Sequence, residues 1–255
     1  MTISSNPGAR NLSGKLALVT GAARRIGATI CRHLHADGAN IVVHYRGSAA
    51  EANALCDELN ERRSGSAISL QADLTDIAAL PALITATSEW HGSLDILINN
   101  ASSFYPTPLG EVTEQNWNDL LGANLKAPLF LSQAAMPMLR ASRGVIINIV
   151  DIHAQRPLRN HAVYGSAKAG LAMLTRALAK DLAPEIRVNG VSPGAIMWPE
   201  AGMNDVEKKN ILSQVPLGRS GDAADIASCV LYLVRDAGYV TGQIIAVDGG
   251  RSIGW

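Results

Sequence analysis

The stretch Leu16-Ala17-Leu18-Val19-Thr20-Gly21-Ala22-Ala23-Arg24-Arg25-Ile26-Gly27 decides how the chain folds. Its four leading apolar residues predict a short strand buried on both faces, since no polar residue alternates with them. Gly21 permits the tight turn that follows, and Gly27 permits close packing of a helix starting near Ile26. A strand, a glycine turn and a helix in that order expose backbone amides at a helix N-terminus, where a pyrophosphate can bind.

Working outward, further strands are expected near Asn40-His44, Ala67-Gln71, Asp95-Ile98, Gly144-Val150, Arg187-Val191 and Gln243-Val247, with helices filling the intervals. This unbroken alternation predicts an α/β fold, a single Rossmann-type doubly wound parallel sheet of about seven strands with helices on both faces. The domain is expected to span residues 14–255, behind a flexible polar arm at 1–13. Residues 195–220 contain Pro199, Gly202, Pro216 and Gly218 and follow the strand ending at Val191. Ligands bind beyond the carboxyl ends of such strands, so this loop is expected to cover substrate.

The 255 residues carry 22 Lys+Arg against 22 Asp+Glu, so no net field draws nucleic acid or an anionic membrane. A small-molecule partner is the expectation. No apolar run reaches the roughly 18 residues of a membrane span. Cys31, Cys56 and Cys229 lie far apart without a CxxC pattern, which fits a reducing, cytoplasmic setting. The six histidines form no HxxH or HxxxH pair, so no metal is expected. His153 and His161 are read as surface residues flanking the site.

An NAD enzyme of this plan places an acid about twenty residues beyond the turn to hold the ribose hydroxyl. Here the second strand runs out as His44-Tyr45-Arg46-Gly47-Ser48, with no acid before Glu51. Arg46 and Ser48 can receive a 2′-phosphate instead, which favours NADP(H).

Tyr164 and Lys168 are four apart, on one face of a helix beginning near Ala162. A phenol of ordinary pKa about 10 is a poor acid–base group at neutral pH, and a nearby ammonium is expected to lower it. Thirteen residues upstream, Asp151 ends the segment Ile149-Val150-Asp151. A carboxyl group there can transfer a proton, which suits reduction of a C=N bond whose nitrogen must be protonated.

The turn Thr20 to Gly27 is similar to the TGxxxGxG motif of short-chain dehydrogenases, with Arg25 in the middle glycine's place. Asn99-Asn100-Ala101-Ser102 is similar to their NNAG motif, with Ser102 replacing glycine. Together with Ser48 to Leu55, the run Asn99 to Leu109, and Asp151 ahead of Tyr164 and Lys168, nearly the whole chain after Gly14 resembles the pteridine reductases of the short-chain dehydrogenase/reductase superfamily. The resemblance implies strand order 3-2-1-4-5-6-7 and cofactor contacts at Gly21, Arg25, Ile26, Gly27, His44, Tyr45, Arg46, Ser48, Asp73, Leu74, Asn100, Ala101, Tyr164, Lys168, Pro193 and Gly194. It implies catalytic roles for Asp151, Tyr164 and Lys168, with Asn124 in support, and substrate contacts from Arg25, Ser102, Asp151 and Tyr164. Phe104 is expected to stack on a pterin.

The implied reaction is NADPH-dependent reduction of biopterin or dihydrobiopterin to the tetrahydro form, with dihydrofolate a further candidate. A homotetramer built on helices at Asn116-Leu139 and Tyr164-Leu182 is implied as well. Arg46-Gly47 and the segment Ala195 to Glu200 depart from the protozoan form. A reductase of 3-oxoacyl-type carbonyls and a catalytically silent dinucleotide sensor are the alternatives.

Overall fold

Strand β1 (Leu16–Val19) sits at the centre of a wholly parallel sheet, in the order β3-β2-β1-β4-β5-β6-β7, in a computed structural model that describes residues 11–198 and 202–253. Its partners are β2 (Asn40–Tyr45), β3 (Ala67–Gln71), β4 (Ile96–Asn99), β5 (Val145–Ile149), β6 (Arg187–Pro193) and β7 (Ile244–Val247). Helices α1 (Arg25–Ala36), α2 (Ala49–Arg62), α3 (Leu80–His91), α4 (Glu114–Leu121), α5 (Ala127–Ser142), α6 (Ala162–Asp181), α7 (Asp205–Leu212) and α8 (Ala223–Arg235) complete the fold. The predicted sheet and its order are those observed, with strand ends shifted by one or two residues.

The uninterrupted apolar run of β1 is explained by its two faces. Ala17 and Val19 join a cluster with Ile30, Leu34, Leu55, Leu59 and Val230 from α1, α2 and α8. Leu16 and Leu18 join the opposite cluster with Leu83, Leu131 and Leu139 from α3 and α5. Each fully buried side chain of this kind stabilises the fold by about 1.5–3 kcal/mol. The order in which strands are added reverses about β1, which pairs in parallel with β2 on one side and β4 on the other. Register places Val19 opposite both Val43 and Ile98, so Thr20, His44 and Asn99 emerge together at the switch point.

Three expectations change. The single helix at Asn116-Leu139 is instead α4 and α5, separated by a π turn at Gly122–Lys126. The loop 195–220 contains α7, whose Asn204 and Glu207 form a reciprocal capping box. Pro199 and Glu200 of that loop, like residues 1–10 of the expected arm, lie outside the described residues. Leu12, also assigned to the arm, is 6% exposed in the core, and its amide donates to the Asp37 carbonyl at 2.8 Å. Among the described residues, no helix is long and apolar enough to cross a membrane.

Candidate active site

A cleft of about 540 Å³ opens at the carboxyl ends of β1, β2 and β4. It is lined by Gly21, Arg25, Ile26, Gly27, His44, Tyr45, Arg46, Ser48, Asp73, Leu74, Asn100 and Ala101, twelve of the sixteen positions expected to bind cofactor, and by Ser102. Arg24, Gly47, Thr75, Ser103 and Ala123 line it too and were not anticipated. Arg24 and Ser103 adjoin motif residues, which is the signal that would have found them.

The two glycines have distinct uses. A Cβ on Gly27 would lie 2.7 Å from the Asn100 amide nitrogen and 2.7 Å from the Gly21 carbonyl oxygen, so only glycine lets α1 pack this close. Gly21 has φ +58°, and Arg25 also adopts a left-handed backbone, φ +54°. A glycine would carry the latter conformation without strain, so an arginine here is a substitution with a conformational cost. Asn100 secures the turn by donating from Nδ2 to the carbonyls of Thr20, at 2.8 Å, and Gly21, at 3.0 Å. Its side chain therefore holds the turn rather than reaching for cofactor.

His44 is 2% exposed and both its ring nitrogens are engaged by the protein. Gly21 N–H donates to Nδ1 at 3.1 Å, and Nε2 lies 3.1 Å from the Ala72 carbonyl oxygen. These partners specify the neutral tautomer with hydrogen on Nε2. Burial pushes its pKa down to about 4. Across the cleft, Asp73 accepts from the amide and hydroxyl of Thr75, which hold its carboxyl below the usual range. At the end of β2, Ser48 stands at the N-cap of α2 without making a side-chain cap bond, beside exposed Arg46.

Beyond the cleft's Ser102 and Ser103, Asp151, Tyr164 and Lys168 meet. The hydroxyl of Tyr164 donates to Asp151 Oδ2 at 2.7 Å, while Asp151 Oδ1 accepts from the His153 amide at 2.8 Å. Asp151 thus caps the turn Ile152–Ala154 and contacts the phenol at once. Lys168, 2% exposed, donates to the Ile149 carbonyl at 2.9 Å, and burial lowers its pKa to about 8. Burial first, and then the Asp151 carboxylate, push the Tyr164 phenol well above its ordinary value; the neighbouring Ser102 hydroxyl opposes them. This reverses the expected lowering by Lys168: its ammonium nitrogen lies 5.8 Å from the centre of the ring, whereas Asp151 contacts the hydroxyl itself.

Asn124 is fully buried in the π turn, donating to the carbonyls of Ser103 and Leu120 and accepting from the Ser102 hydroxyl at 2.6 Å. Phe104 is 52% exposed. One ring contact is His161, stacked at 4.8 Å and 18°, and another is the edge of Tyr164 at 4.8 Å and 79°. His161, expected at the surface, is therefore half-buried against the aromatic wall. Pro193 ends β6 and Gly194 follows it, where an added Cβ would strike Asp248 at 2.5 Å. Neither lines the cleft at β1, β2 and β4. Arg251, near the far end of the chain, is partly desolvated and feels the charge of Asp151. No motif marks it.

A family model described as enoyl-(acyl carrier protein) reductase matches residues 21–252. Pteridine reductase 1 of Leishmania tarentolae is 38% identical over 93% of this chain and 96% of its own. A 3-oxoacyl-(acyl-carrier-protein) reductase of Staphylococcus aureus is 39% identical over 92% and 97% respectively. An uncharacterized oxidoreductase of Methylorubrum extorquens is 38% identical over 94% and 98%.

Proposed function

The chain belongs to the short-chain dehydrogenase/reductase superfamily, and from that premise we propose that it is an NADPH-dependent pteridine reductase producing tetrahydropterins. The observation that carries the reading is the 2.7 Å bond between Tyr164 and the carboxylate of Asp151. It sets a phenolic proton donor against a carboxylate that can relay a replacement proton, and reduction of a ring C=N bond takes one such proton beside its hydride.

The cleft suits a dinucleotide: Gly21 and Gly27 let the turn and α1 pack closely at its floor, and Arg46 with Ser48 offers charge and hydroxyl to a 2′-phosphate. NADPH bound there would supply the hydride. The chain's own residues would do the rest. Phe104 presents a flat surface to a flat heteroaromatic ring, an arrangement worth about 1 kcal/mol beyond area burial. Ser102 and Arg25 at the cleft's edge would hydrogen-bond that ring and fix which face it turns inward.

Hydride addition to the C=N carbon sends an electron pair to nitrogen, which takes its proton from the Asp151–Tyr164 pair. A phenol held above its ordinary pKa keeps its proton until a strongly basic nitrogen develops, and so donates late. Lys168, fixed by the Ile149 carbonyl, would hold the nicotinamide ribose.

The Staphylococcus aureus relative, at 39% identity, favours a second reading, a 3-oxoacyl reductase. The carboxylate at Asp151 weighs against it, because polarising a carbonyl oxygen needs only a hydroxyl. A homotetramer accords with the exposed Trp117, Leu129 and Met173 on α4, α5 and α6. The reading is tested with Asp151→Ser. NADPH-dependent turnover of dihydrobiopterin should fall by about 10²-fold or more while the NADPH dissociation constant stays within about twofold. Equal loss of both would contradict it.

A further inference from the structure

Two residues of the nucleotide turn, Gly21 at φ +58° and Arg25 at φ +54°, are left-handed, and one of them is not glycine. Such backbone persists only where its surroundings over-determine it. The turn's first two amides both end on one residue: Gly21 N–H donates to His44 Nδ1 at 3.1 Å and Ala22 N–H to the His44 carbonyl at 2.9 Å. They point back into the protein, so a pyrophosphate would be met by amides from Ala23 onward. On its other edge the ring reaches the Ala72 carbonyl at 3.1 Å, immediately before Asp73 and Leu74 on the opposite wall of the cleft.

We propose that His44 is a positioning residue for the nucleotide, a neutral two-ended clamp that sets the turn at Gly21 against the wall at Ala72 without touching the cofactor through its ring nitrogens. The inference rests on the reading that this cleft holds NADP(H). A charged ring would set a second N–H against that of Gly21, and the 2% exposure of His44 leaves water no place to relieve it. The geometry thus needs an acceptor on one edge and a donor on the other. Among uncharged side chains only imidazole offers both within a rigid ring.

The test is a fluorescence titration of the purified chain with NADPH, alongside steady-state kinetics with dihydrobiopterin. His44→Phe keeps ring volume and loses both bonds. It should weaken NADPH binding about tenfold and leave the pterin KM at saturating NADPH within about twofold. His44→Asn keeps an acceptor near the Nδ1 place and should recover most of the loss. The proposal is overturned if His44→Phe binds NADPH like wild type, if Asn is as weak as Phe, or if nucleotide and pterin affinities fall together. Should His44→Phe not fold, His44→Gln, whose amide reaches toward Ala72 and not Gly21, replaces it. Asn tighter than Gln supports the clamp, and Gln equal or tighter overturns it. A wild-type chain that does not bind NADPH would overturn the nucleotide reading itself, and this inference with it.

Discussion

Tyr164 and His44 are both shifted by burial, in opposite chemical senses, and each shift has a measurable consequence. Tyr164 is driven toward its neutral, protonated form. His44 is driven toward its neutral, unprotonated form, with a pKa of about 4 against an ordinary 6.5. Between these two values the unfolded chain takes up a proton that the folded chain refuses. Stability should therefore fall as pH drops from 6.5 toward 4, with no contribution from His44 above that window. Urea midpoints at pH 7 and pH 5 would read this, and His44→Phe should flatten the difference; an unchanged slope in the variant would assign it elsewhere. Tyr164 and Lys168 were legible as a pair because their spacing puts them on one helix face, and Asp151 joined them through the family resemblance. The direction of the Tyr164 shift was not, because it depends on which neighbour touches the hydroxyl. Spacing shows that Lys168 is near the phenol but cannot show that Asp151 is nearer.

At the scale of elements, one tight joint is where α1 leaves the turn. Gly27→Ala would bring a Cβ within 2.8 Å of Ala22 Cα, besides its clash with Asn100, and these atoms are held by their own bonds. Overpacking of this kind costs about 1–3 kcal/mol, and NADPH binding should weaken because the strained atoms line the cleft. Thermal unfolding and nucleotide titration of Gly27→Ala check both, and an unchanged Tm would show that α1 can shift freely. The π turn at Gly122–Lys126 escaped sequence reading because its residues continue the apolar periodicity of a single helix. Its cause is tertiary: Asn124 is tied to Ser102 and Ser103 across the site as well as to Leu120 in its own helix. Helix α7 was more accessible, since Asn204 and Glu207 spell a capping box between two glycines that read as loop.

Across the whole molecule, the parallel sheet with helices on both faces follows from alternating short apolar strands and helices, and its order was legible only through the family resemblance. The site is harder, because it gathers residues from β1 through the tail and its specificity rests on a few substitutions in a shared scaffold. A pteridine reductase and a 3-oxoacyl reductase are equally near relatives, at 38% and 39% identity. Asp151, left-handed Arg25 and half-exposed Phe104 are the residues that support the first over the second. The direct measurement is kcat/KM of the purified enzyme, with NADPH saturating, for dihydrobiopterin against acetoacetyl thioester. Turnover of the pterin at least about 10²-fold more efficient than that of the thioester is the predicted result, the scale of discrimination a site built on specific hydrogen bonds achieves. Efficient reduction of the thioester with no oxidation of NADPH by the pterin would contradict the account.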